Sequence, residues 1–332
     1  MNTTSRFYCL FSAPFSFLGK MKEDYNNLIP TIFQEVWNRE ELKPDEYLKF
    51  WVVNPGQRFI VDKDILPLFP ALSVIVTPST GRNHIDIASC EKKNITVHSL
   101  LDDRTTLDSI SASAEFSFLL LLNTLRRLDF ALKEVTDRRW RAREDDLRGF
   151  ELSGKQVGLV GMGRIGRRLA RWVKAFDAEV AYFDPYVNEE KYPTRSLERI
   201  FSDSDIVCAC CALTDETMGM IDGSLLRRLK KGACFINTSR GEIVKQNDLI
   251  AVIGERGDLR VGLDVISGEV TNTHLSSPLL EMHDKGRIVV TPHIAGATFE
   301  SQTKAARGAL NLLERHLSDG KLIRENKNGR VL

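Results

Sequence analysis

The sequence predicts an α/β protein built on doubly wound parallel sheets, and three observations carry that prediction. Short apolar runs alternate with helix-length stretches through most of the chain. A glycine cluster, Gly161, Gly163 and Gly166, falls directly between one such run and one such stretch. An acid, Asp184, closes the next apolar run.

From the N-terminus, "FYCLFSAPFSFLG" reads as a first strand followed by a loop; only Arg6 precedes it and Pro14 interrupts it, which argues against a secretory signal. Over residues 47–100, "YLKFWVV", "KDILPLFPALSVIVTPSTG" and "IDIASCEKKNITVHSL" continue in βαβ rhythm. Residues 109–128 lack Gly and Pro and are apolar on most faces, which predicts a largely buried helix. The charge-dense stretch 136–149 reads as an exposed arm, with Trp140 as a candidate interface anchor. Strands follow at "KQVGLVG", "EVAYFD", "DIVCAC", "ACFINT", "RVGLDV" and "RIVVTP", with helices expected between the first five at 165–176, 195–202, 222–230 and 246–256. The amphipathic segment "TFESQTKAARGALNLLERHL" comes too late for this alternation and is assigned back to the first domain.

At 332 residues and 42% hydrophobic, the chain has length and apolar content for two domains. Its formal charge of +1 gives no global pull toward nucleic acid or an anionic membrane. No uninterrupted apolar run approaches the roughly 20 residues of a membrane helix. The six cysteines lack the spacing of a disulfide scaffold or a zinc site, so reduced thiols, a cytoplasmic setting and no metal are expected. Without a secretory signal, the triplets "NTT", "NIT" and "NTS" carry no weight as glycosylation sites.

In "KQVGLVGMGRIGRRLARW" the first glycine permits a tight turn, the second lets backbone approach a pyrophosphate, and the third lets helix pack on strand. The amides of Arg164 and Ile165 then open a helix N-terminus toward phosphate. Asp184 stands where a carboxylate meets the adenosine ribose, and no Arg or Lys among Pro185 to Glu190 invites a 2′-phosphate. The expected cofactor is therefore NAD.

Parallel strands share one carboxyl edge, where ligands bind. Three strands deliver Arg240, Asp264 with Glu269 nearby, and His293 to that edge. A guanidinium is suited to a carboxylate, and an imidazole beside a carboxylate such as Glu269 can move a proton near neutral pH. With a nicotinamide as hydride source, these groups suit reduction of a 2-oxo acid.

The glycine cluster with Asp184, "INTSRG" around Arg240, "GLDVISGE" with Asp264 and Glu269, "TPHIAGAT" with His293 and the intervening "LTDETMGMI" resemble the ordered signature blocks of the D-isomer-specific 2-hydroxyacid dehydrogenase family. The likeness spans about residues 75–316. It implies Arg240 as the substrate-binding catalytic arginine, His293 as acid/base, Glu269 as its partner and Asp264 as a contact to the nicotinamide end. It implies further cofactor contacts at Thr217, Thr238 and Gly296, and a substrate-carboxylate loop at Ser79, Thr80 and Gly81, completed by Arg240 and His293.

The implied fold has two Rossmann-like domains, the cofactor domain (105–296) inserted into a discontinuous substrate domain (1–104 and 297–332). A homodimer is expected, through the helix 109–128 and the arm. The ligand is a small 2-hydroxy or 2-oxo acid, 3-phosphoglycerate or a relative; an NAD(H)-sensing, corepressor-like protein of the same fold is the alternative. The ending "DGKLIRENKNGRVL" predicts that the added regulatory domains of some phosphoglycerate dehydrogenases are missing. Ser79, Ala212 and Ser267 depart from the family's usual glycine, proline and acid, and the first of these bears on the substrate loop.

Overall fold

Five short runs rich in β-branched and aromatic residues form the first sheet: β1 (Tyr8–Phe11), β2 (Thr31–Phe33), β3 (Leu48–Val52), β4 (Val74–Thr77) and β5 (Thr96–Ser99). All pairs are parallel, in the order β2-β1-β3-β4-β5. The computed structural model describes residues 7–327; the first Asn-Xaa-Thr triplet and the last residues of the charged tail lie outside them. Every side chain of β4 is buried, as a central parallel strand covered on both faces requires.

A helix, Met21–Leu28, and β2 follow the expected loop and come between β1 and β3 in the chain. The helix reads "MKEDYNNL" and buries only Met21 and Tyr25, so its apolar periodicity is too thin to show in sequence. Tertiary contact supplies what pattern does not. The Tyr25 hydroxyl donates to the Ala306 carbonyl at 2.6 Å, tying this helix to the C-terminal helix Phe299–Lys327. Ala306, Ala309, Leu310 and Leu313 of that helix pack with Phe11, Val52, Val74 and Val76 in one core.

The second sheet contains β6 (Gln156–Val160), β7 (Glu179–Phe183), β8 (Ile206–Ala209), β9 (Cys234–Asn237), β10 (Arg260–Leu263) and β11 (Val289–Val290). All are parallel, in the order β11-β10-β9-β8-β6-β7. The chain goes from β6 to β7 on one side and returns to β8 on the other, which puts a topological switch point at the carboxyl end of β6.

Local differences from expectation have local causes. The buried helix is Ala112–Arg126; Arg127 takes a left-handed φ of 55° and a second helix, Leu128–Thr136, follows. The arm after it is not merely solvated. Glu134 is fully buried and its carboxylate accepts two bonds from the Arg139 guanidinium, at 2.8 and 2.6 Å, while Trp140 stands 70% exposed. The helix expected at 222–230 shrinks to Gly223–Leu226. Among the described residues no helix is long and apolar enough to cross a membrane.

Contacts divide the chain into two compact units. One comprises the chain through Ile110, Val270–Asn272 and the chain from Thr298; the other comprises Ser111–Glu269 and Thr273–Ala297.

Candidate active site

The carboxyl ends of the second sheet line up, in spatial order, the segments carrying His293, Asp264, Arg240, the Cys210–Cys211 turn, Gly161 and Asp184. At about 4.8 Å per strand step this row is about 24 Å long. The imidazole and the Asp184 carboxylate stand at opposite ends of it.

At the switch point, Gly161 adopts φ +102°, and a Cβ there would lie 2.7 Å from the Cys211 backbone nitrogen. A Cβ on Gly166 would lie 2.3 Å from the Gly161 carbonyl oxygen, so only glycine lets the helix Arg164–Ala175 start this close to the strand. Gly163 caps that helix in an extended conformation, and a Cβ there would meet nothing within 4 Å. The packing demands two of these glycines; the third faces open space at a helix N-terminus, where a pyrophosphate fits. The Asp184 carboxylate accepts from the Met162 amide at 2.8 Å and the Tyr186 amide at 2.9 Å. These bonds aim the carboxylate and leave it lone pairs for ribose hydroxyls.

Alanine variants separate the two glycine roles. Gly163→Ala should leave the thermal midpoint unchanged and weaken NADH binding, read by fluorescence titration. Gly166→Ala should cost about 1–3 kcal/mol by overpacking and lower the midpoint as well. Equal melting of the two would contradict this division.

Arg240 follows β9 in a turn held by Asn237, whose side chain donates to the Arg240 carbonyl at 2.9 Å and accepts from the Ser239 amide at 3.0 Å. The guanidinium donates to the Ser239 carbonyl at 2.7 Å. Burial pulls its pKa down from the ordinary arginine value, while the charges of Glu269 and Glu242 oppose that shift. Gly241 lies so close to the next strand's exit that a Cβ would be 2.1 Å from the Ile266 carbonyl carbon. The Ile266 amide in turn donates to Glu269 Oε1 at 2.9 Å, and Glu269 Oε2 pairs with His293 Nδ1. Arginine, glutamate and imidazole are thus linked through one short stretch of backbone.

Asp264 is wholly buried. Its carboxylate accepts from Thr291 Oγ1 at 2.6 Å, the Ile294 amide at 2.9 Å and the Ala295 amide at 2.8 Å, and its carbonyl accepts from the His293 amide at 2.8 Å. Burial raises its pKa, and these three carboxylate bonds together with the charge of His293 pull the other way. In this structure Asp264 clamps the segment carrying His293, which sits at a left-handed φ of 55°. Thr291, which completes that clamp, is a residue that the sequence does not single out; its place two residues before the histidine was the available signal.

Other expected cofactor contacts are committed within the same unit. Thr238 Oγ1 lies 2.5 Å from Ser117 Oγ, and Thr217 Oγ1 donates to the Ala212 carbonyl at 2.7 Å. Gly296 is exposed. Cys208 and Cys234 lie in the core, and burial pushes the Cys211 thiol beside the glycine turn up to about 11. Among the described residues no group of three or more His, Cys, Asp or Glu could hold a metal. Ser79, Thr80 and Gly81 belong to the other unit, in the turn that leaves β4.

The chain is similar to known proteins in sequence and in fold. The family model for the NAD-binding domain of D-isomer specific 2-hydroxyacid dehydrogenases matches residues 118–295. A glyoxylate reductase/hydroxypyruvate reductase of Mus musculus is 32% identical, over 84% of this chain and 86% of its own length. A D-3-phosphoglycerate dehydrogenase of Mycobacterium tuberculosis is 30% identical over 74% of this chain and 45% of its own. The crystal structure of a D-lactate dehydrogenase from Aquifex aeolicus, complexed with NAD and lactic acid, superposes with a TM-score of 0.79 at 23% identity, covering 94% of this chain and 96% of that one. That last likeness supports the fold.

Proposed function

This chain belongs to the D-isomer specific 2-hydroxyacid dehydrogenase family, whose members are NAD-dependent oxidoreductases, and from that premise we propose that it interconverts a small D-2-hydroxy acid and its 2-oxo acid. The observation that carries the proposal is the Glu269–His293 pair at the same sheet edge as Arg240.

The glycine turn and Asp184 would hold the cofactor, which would supply or accept a hydride. Arg240 binds the substrate carboxylate and polarises the carbonyl, because its planar fork stays charged even when burial lowers its pKa. As the carbonyl carbon gains hydride, the C=O π pair moves onto oxygen. His293 Nε2 gives that oxygen its proton, and Glu269, held by the Ile266 amide, steadies the proton on Nδ1. In the reverse direction His293 takes the hydroxyl proton. Asp264 and Thr291 fix the backbone from which the ring projects.

The loop of Ser79, Thr80 and Gly81, in the other unit, supports recognition of a carboxylate through its backbone. Arg82, exposed on the same turn, supports a substrate with an additional anionic group, such as 3-phosphoglycerate or a related hydroxy acid. Exposed Leu119, Leu128, Leu132, Val135 and Trp140 on the helices after Ser111 and the arm support a homodimer. The six free cysteines support a reducing, cytoplasmic setting.

The deciding experiment follows NADH oxidation at neutral pH with phosphohydroxypyruvate, hydroxypyruvate, glyoxylate, pyruvate and branched 2-oxo acids. Turnover of one class identifies the substrate. Tight NADH binding with no turnover of any acid would overturn the dehydrogenase reading in favour of an NAD(H) sensor.

A further inference from the structure

His84 is a lone loop histidine in sequence, yet it is 2% exposed and begins a chain of hydrogen bonds ending in the proposed substrate loop. His84 Nε2 lies 3.1 Å from Thr77 Oγ1, Thr77 Oγ1 lies 2.9 Å from Ser79 Oγ, and Ser79 Oγ donates to the Gly81 carbonyl at 2.9 Å. A hydroxyl has one hydrogen to give. Ser79 spends its hydrogen on the Gly81 carbonyl, so it accepts from Thr77; Thr77 then has none left and accepts from His84. The direction of the whole relay follows, and His84 Nε2 carries a proton. The histidine is itself pinned, since its carbonyl accepts from the Val61 amide at 2.9 Å.

The end of the relay decides where two backbone donors point. In a trans peptide, C=O and N–H face opposite ways. The Gly81 carbonyl is turned to Ser79 Oγ, so the Arg82 N–H of that peptide faces away. The Ser79 carbonyl accepts from the Leu100 amide at 3.0 Å, so the Thr80 N–H also faces away from its anchor. Neither amide donates to a protein acceptor among the described residues. Two backbone donors that the protein leaves unspent can take an anion's oxygens, and a hydrogen bond onto the Gly81 carbonyl makes the Arg82 N–H of the same peptide a stronger donor.

We propose that Ser79, Thr77 and His84 are positioning residues, which hold the Thr80 and Arg82 amides as the receptor for the substrate carboxylate. This rests on the reading of residues 79–81 as the substrate loop. It also gives the serine at a position where the family usually has glycine a task of its own: its hydroxyl replaces conformational freedom with a tether.

The test measures kcat and KM for the best 2-oxo acid, inhibition by oxalate, NADH affinity and melting temperature in Ser79→Ala, Thr77→Val and Thr77→Ser. Losing one such bond should raise KM and the oxalate inhibition constant about fivefold to tenfold in the first two variants, with kcat and NADH affinity unchanged. Thr77→Ser, which keeps the hydroxyl, should behave as the parent. Should Thr77→Val fail to fold, Ser79→Ala on the half-buried turn still decides the matter. A Ser79→Ala enzyme with parental KM, or one losing kcat instead, would overturn the relay while leaving the dehydrogenase reading intact. A parent protein that turns over no 2-oxo acid and does not bind oxalate would overturn both.

Discussion

Replacing His293 with alanine should lower kcat by about 10²–10⁴-fold while leaving NADH affinity nearly intact. The ring's Nδ1 is engaged by Glu269, which leaves Nε2 as the atom able to exchange a proton with substrate. Nothing in the glycine turn or at Asp184 depends on the imidazole. The left-handed φ of 55° at this position penalises an alanine backbone, so His293→Asn is the better-matched second variant, because asparagine tolerates that region. Both should lose turnover alike. Stopped-flow hydride transfer with NADH titration would separate the effects, and parental kcat in His293→Asn would refute the acid/base role.

Replacing Arg240 with lysine should lower kcat/KM on the order of 10²- to 10³-fold, although the charge is kept. Lysine offers a point charge in place of a planar fork and cannot bind a carboxylate while polarising the adjacent carbonyl in one geometry. It would also lose the bond to the Ser239 carbonyl that aims the guanidinium. The loss should fall on kcat as well as KM, because polarisation matters most as negative charge develops on oxygen. Arg240→Lys kinetics within a few-fold of the parent would show that this residue is a bystander.

Much of the second sheet was legible because its signals are local. Gly161 must turn, Gly166 must admit a helix, and Asp184 must close the following strand, all within one βαβ unit. Arg240, Glu269 and His293 were legible for a related reason, since parallel strands deposit their carboxyl ends on one edge. What escaped was set by contacts distant in sequence. Helix Met21–Leu28 is marginal until Tyr25 reaches Ala306, 281 residues away.

The sequence by itself determined the parallel α/β class, the nucleotide turn and the identity of the groups along its edge, because chain-local periodicity and strand direction suffice for these. Only the tertiary structure decided how they are held. Asp264 is buried and holds the histidine segment through Thr291, Ile294 and Ala295, and the buried His84 begins a relay to Gly81. The physical reason is that a hydrogen bond's direction depends on which other donors and acceptors are already spent, and that accounting exists only once separate segments have been folded together.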